Sequence, residues 1–142
     1  MLEDNSPIKF TLLGQMASQY LNQPYIWAGN GPFEFDCSGF VLSVLRDVGF
    51  QYPDMTSQGL YTRLSQLDLR SQLGPDSILF FGPSRYTINH VAIALDERYM
   101  IEAGGAGSNC KTKEDAARLN ARVRIKPITN RGDLVAAIKL DY

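Results

Sequence analysis

The apolar pattern of this chain changes once, at Gly74-Pro75-Asp76, and that change limits the fold more than any other feature. Before it, apolar residues recur at helical spacing. Leu12, Leu13, Met16, Ala17, Tyr20 and Leu21 make one stripe, with Ser6-Pro7 as N-cap and first helical residue. Phe40, Val41, Val44, Leu45 and Val48 make a second, stopped by Gly49. Leu60, Leu64 and Leu67 make a third, capped by Thr56 or Ser57. After the turn, Ser77–Phe81, His90–Leu95, Tyr99–Ala103, Val123–Ile128 and Leu134–Leu140 have strand character. Thr112-Lys113-Glu114-Asp115 resembles a capping box for a short helix to about Leu119, and Arg131-Gly132-Asp133 is a turn, not an adhesion motif. Helices first and about five antiparallel strands second predict an α+β fold, with the helices on one face of the sheet.

The 142 residues suit one domain, 1–142, with a single core. Hydrophobic residues make 44% and charged residues 20%, so the chain is globular rather than disordered. A net charge of -1 argues against nucleic acid as the main partner. The late basic cluster Arg118, Arg122, Arg124 and Lys126 is expected to be a solvated face. No apolar run is long enough to span a bilayer, and Met1 to Ser6 lack the basic and apolar regions of a secretion signal. The expected localisation is therefore the compartment of synthesis, or export by other machinery. One histidine and scattered carboxylates give no metal-ligand spacing, so no metal or cofactor is expected.

Cys37 stands where a loop rich in glycine, Tyr25 to Pro32, meets the second helix. A cysteine there meets unpaired N–H groups and the positive end of the helix dipole, both of which favour a thiolate. His90, the sole histidine, opens a strand. One placed cysteine and one histidine are the minimum for a cysteine nucleophile and its base. Cys110, in a loop of Gly, Ser and Asn, is expected to be a free thiol without a role.

The hairpin around Asp96-Glu97-Arg98 adds a third residue. If those three form the loop, Leu95 faces Tyr99 and Ala92 faces Glu102. His90 then lies diagonally from Glu102 on the same sheet face, about 7–8 Å away and within reach of long side chains. Glu102 would accept a hydrogen bond from the imidazole and fix its tautomer. A two-residue loop would flip this parity.

Tyr25-Ile26-Trp27-Ala28-Gly29, Phe35 to Val41, His90 to Leu95 and Met100 to Ala103 together resemble the successive motifs of the NlpC/P60 cell-wall peptidases. The resemblance runs from about Leu12 to Ala103. It implies a papain-like fold and hydrolysis of peptidoglycan stem peptides, typically at the γ-linked amide between D-glutamate and a diamino acid. It implies Cys37 as nucleophile, His90 as base and Glu102 in the third polar position. Tyr25 matches a tyrosine lining the family's site, and Asp36 and Ser38 match residues that shape it and contact substrate. Tyr25 is also a candidate oxyanion donor beside the Cys37 N–H. Two positions depart from the pattern: His, Asn or Gln is more usual at position 102, and the family's Pro-Gly-Asp turn is spelled Gly74-Pro75-Asp76 here.

The expected partner is peptidoglycan or a muropeptide, with delivery machinery or an immunity protein as further candidates. A phage lysin or tail enzyme and an exported antibacterial effector both match this pattern. An amidase, deamidase or acyltransferase on the same scaffold, and a non-catalytic phage structural module, are the alternatives.

Overall fold

The computed structural model describes residues 7–29, 35–66, 73–105 and 109–140. Three helices, α1 (Leu12–Ser18), α2 (Cys37–Asp47) and α3 (Ser57–Ser65), precede the sheet. The strands are β1 (Ser77–Phe81), β2 (His90–Ala94), β3 (Tyr99–Gly104), β4 (Arg122–Pro127) and β5 (Leu134–Lys139), with α4 (Lys113–Leu119) between β3 and β4. The sheet is antiparallel with order β4-β3-β2-β1-β5. This is the predicted α+β, papain-like arrangement. Among the described residues no helix is long and apolar enough to cross a membrane.

The central strands β1 and β2 are buried at every residue because both of their faces are covered. Ile78, Phe80, Val91, Ile93, Ile101 and Val123 face the helices and join Leu13, Val41, Leu45, Leu60 and Leu64 in the main core. Leu79, Phe81, Ala92, Ala94, Met100, Ile128 and Ala137 form a smaller cluster on the opposite face. Strand alternation puts His90 and Glu102 on that second face. α2 packs on β2 and β3, and α1 packs on α2.

The first helix starts later than predicted. Thr11, not Ser6, is its N-cap, and Pro7 lies outside it. Asp76 explains the shift. Its carboxylate accepts from the Thr11 hydroxyl and from Gly14 N, so a residue in the turn before β1 caps α1. Leu12 is left largely exposed, while Leu13 and Ala17 enter the core. Ser6, Leu67 and the stretch 30–34 lie outside the described residues.

The other predicted devices form. Thr56 Oγ1 accepts from Gly59 N and caps α3. Thr112 caps α4, and Asp115 Oδ2 reaches back to Lys111 N at 3.1 Å. The β2–β3 register pairs Ile93 with Ile101 and Ala94 with Met100, and Leu95 N donates to Tyr99 O at 2.9 Å. That is the parity the three-residue loop requires.

Candidate active site

Cys37 is the first residue of α2. Asp36 is its N-cap: Oδ1 accepts from Gly39 N at 2.6 Å and from the Ser38 hydroxyl at 3.3 Å. Phe40 N donates to Asp36 O, so the orphan N–H groups of this first turn are those of Cys37 and Ser38. The Asp36 carboxyl oxygen that caps the helix is thereby committed to structure. Burial, against the Gly39 and Ser38 hydrogen bonds, still pushes its pKa up.

His90 opens β2 and is buried. Its Nε2 lies 2.8 Å from Glu102 Oε1, which leaves Nδ1 to face the thiol. Continued past Ile93, the hairpin register sets Gly104 opposite His90. A Cβ at Gly104 would come within 3.3 Å of Glu102 Oε2, so its missing side chain leaves the space through which Glu102 reaches diagonally. The loop before β2 is held from the helical side, where Gln58 Oε1 accepts from Ile88 N at 2.7 Å.

The electrostatics favour charge separation. Burial opposes a Cys37 thiolate, but His90 and then the Ser57 hydroxyl, 3.4 Å from Sγ, outweigh it and bring the thiol below its ordinary range. Burial also opposes a charged His90. Cys37 and Glu102 outweigh that, and raise the imidazole from 6.5 to about 9. Glu102 is only 2% exposed. Burial alone would neutralise it, yet His90 and Arg124 hold its carboxyl below the usual range. These are the directions that opposite charges impose on one another inside a protein.

The sequence reading missed Arg124. It stands directly opposite Glu102 in the β3–β4 register, and its Nε donates to Glu102 Oε2 at 3.0 Å. It is therefore a site residue, not part of a solvated face. Arg118, ion-paired to Asp115 on the surface, does fit that description. Arg131, Asn89 and Ser57 were also missed; single-residue patterns carry no signal for such tertiary neighbours.

Tyr25 is buried beside Cys37, and burial followed by the nearby Cys37 and Asp36 charges pushes its phenol well up, so it stays a hydroxyl. Cys110 is the free loop thiol expected, but it is not without a role. It is fully buried, its Sγ donates to Tyr25 O at 3.0 Å, and its carbonyl accepts from Trp27 N at 2.7 Å. It braces the backbone that carries Tyr25.

Cys37 sits between two hollows. One, of about 390 Å³, is lined by Tyr25, Trp27, Cys37, Asn89, His90, Glu102, Gly104, Gly105, Arg124 and Arg131, together with Ala103. The other, of about 380 Å³, shares Tyr25, Trp27, Cys37 and Asn89 and adds Asp36, Ser38, Thr56, Ser57, Ile88 and Ala28. Together they make a cleft that passes across the sulfur.

A thiol at a helix start, an imidazole on the adjacent sheet and a buried carboxylate behind it define a papain-like arrangement. The sequence profile of the NlpC/P60 family matches residues 22–124, and the chain belongs to that family, which includes peptidoglycan hydrolases. Over 91 residues it is 36% identical to a probable endopeptidase p60 of Listeria innocua, covering 64% of this chain and 19% of that protein. It is 30% identical to a gamma-D-glutamyl-L-lysine dipeptidyl-peptidase of Bacillus cereus, covering 59% and 25%. The chain thus spans a quarter or less of these relatives. Its fold is shared with RipD of Mycobacterium tuberculosis, described as a non-catalytic NlpC/p60 domain protein adapted to peptidoglycan binding. That match has TM-score 0.65 at 17% identity and covers 92% of this chain and 95% of that one. Membership alone therefore does not decide activity; the side chains at the site do.

Proposed function

We propose that this chain is a cysteine peptidase that cleaves peptidoglycan stem peptides, at the amide between a γ-linked D-glutamyl residue and a diamino acid. The observation that carries the reading is the buried His90, bonded to Glu102 through Nε2 and set against a thiol of lowered pKa at the start of α2. A thiol whose anion is favoured by its neighbours serves attack on an amide and gives a bare binding module nothing.

In this mechanism the Cys37–His90 pair carries its proton on the imidazole. The thiolate attacks the amide carbon and forms a C–S bond. The oxyanion is held by the N–H groups of Cys37 and Ser38, with the Tyr25 hydroxyl as a third donor. His90 gives its proton to the leaving nitrogen as the C–N bond breaks, leaving a thioester. Water, deprotonated by His90, then hydrolyses the thioester, and the sulfur leaves as the thiolate, which restores the ion pair. Glu102 keeps the ring in the productive tautomer and stabilises its charge, and Arg124 keeps Glu102 ionised.

The bond preference is supported by the similarity to gamma-D-glutamyl-L-lysine dipeptidyl-peptidases. Mass spectrometry of purified muropeptides, incubated with wild type and with Cys37→Ala, tests both parts. A new diamino-acid amine released only by wild type is expected. Release of ammonia or acyl transfer would instead assign the site to an amidase or transferase. Equal product from Cys37→Ala would remove the enzymatic reading.

A further inference from the structure

We propose that the hollow on the His90 side of Cys37 is a carboxylate-binding site, which takes a free carboxylate on the leaving fragment of the substrate, with Arg131 and Arg124 as its donors. The inference rests on the proposed hydrolysis for its direction across the cleft. His90 protonates the leaving nitrogen, so the leaving residue lies on the histidine side. Of the two hollows that share Cys37, the one lined by His90 is also the one lined by both arginines. The acyl part then occupies the other hollow, beside Asp36 and Ser38.

Both arginines are fixed by one part of their guanidinium and open on the rest. Arg124 gives Nε to Glu102, and its two Nη groups make no hydrogen bond among the described residues. Cβ atoms built on Gly104 and Gly105 would come within 3.6 Å and 3.2 Å of those Nη atoms, so two glycines keep the approach to them open. Gly105 has φ +111°, a conformation that suits glycine. Arg131 is clamped by Asp133 through Nε and Nη2 at 2.9 and 2.7 Å and lies over the Phe81 ring. Nη2 also donates to Asn89 Oδ1 at 3.1 Å. Arg131 Nη1 is unbonded among the described residues.

Asp133 partly offsets the charge of Arg131, but it does not line the hollow. Its role is orientation. Glu102 is already shared between His90 and Arg124. The two arginines that line the hollow thus keep guanidinium N–H groups without an acceptor among the described residues, and a carboxylate is the group that a guanidinium binds best.

The test uses matched pairs that differ only at the carboxyl. Kinetics on L-alanyl-γ-D-glutamyl-L-lysine and on its C-terminal amide should give a kcat/KM at least about tenfold higher for the free acid. Arg131→Gln should bring the two within about twofold, and Arg131→Lys should restore part of the preference. A variant that is merely damaged lowers both substrates together and leaves their ratio unchanged. Binding of L-lysine and L-lysinamide to the Cys37→Ala protein, followed by calorimetry, reads the site without turnover. Tighter binding of the acid, lost in Cys37→Ala/Arg131→Gln, supports the proposal even if neither peptide is cut. Equal affinities, a preference that survives Arg131→Gln, or no binding of either probe at millimolar concentration overturns it. Cleavage of both peptides at equal rates would leave the hydrolase reading standing and remove this one.

Discussion

The two cysteines both adjoin Tyr25 and have opposite chemistry. Cys37 is partly exposed at the start of a helix, beside an imidazole and a hydroxyl that stabilise its anion. Cys110 is sealed in the core, and burial, then the charge of Asp115, pushes its thiol up. Its proton is engaged by the Tyr25 carbonyl. The same side chain is the proposed nucleophile in one place and a buried brace in the other. The difference lies in solvent, dipole and neighbours, not in the residue.

The largest effect should come from exchanging the roles in the test. Cys37→Ala is expected to lower hydrolysis of muropeptides by about a thousandfold or more, because a covalent step has no substitute. Cys110→Ala should stay within about threefold of wild type in the same assay. Comparable losses in both variants would erase the contrast. Iodoacetamide at neutral pH should likewise label Cys37 well before Cys110, as read by peptide mass spectrometry.

Next in size is the imidazole. His90→Ala should cost at least about a hundredfold in rate with the circular dichroism spectrum retained, and should slow alkylation of Cys37 towards that of an ordinary thiol. Rapid labelling that survives this substitution would assign the low pKa to the helix start alone.

Glu102 sharpens the comparison through pH. The pair is competent between the lowered pKa of Cys37 and the raised pKa of His90, so the alkaline limb of the rate profile belongs to His90, near about 9. A carboxylate raises that value. Glu102→Gln removes the charge and keeps an acceptor oxygen, so activity should persist while the alkaline limb moves to lower pH. Glu102→Ala should lose more rate. His90 is the sole histidine, so its NMR titration reads the same shift directly, and an unchanged midpoint in Glu102→Gln would detach the carboxylate from the mechanism.

The smallest effect concerns the brace. Cys110→Ala removes a buried sulfur and one weak hydrogen bond, and should cost about 1 kcal/mol in denaturant unfolding. A cost indistinguishable from zero would mean that the loop holds Tyr25 without it.

Sequence periodicity determined the layer order here. Helical stripes ended at Gly74-Pro75-Asp76 and strand runs followed, and each strand run reappears as a strand within a residue or two of its predicted limits. Local chemistry also placed Cys37 at a helix start, because the Asp36 cap and the apolar stripe behind it act over one turn. The hairpin parity was legible for the same reason: a three-residue loop fixes which side chains share a face. Tertiary structure decided what local rules cannot reach. The start of α1 moved because Asp76, 65 residues from Thr11, supplies the cap. Arg124 joined Glu102 through a strand pairing across 22 residues, and Cys110 reached Tyr25 across 85. Spacing along the chain carries helix and hairpin geometry because those contacts are short in sequence. The partners that set the charge of a buried group are brought together only when the sheet closes, and the site's electrostatics belong to that closure.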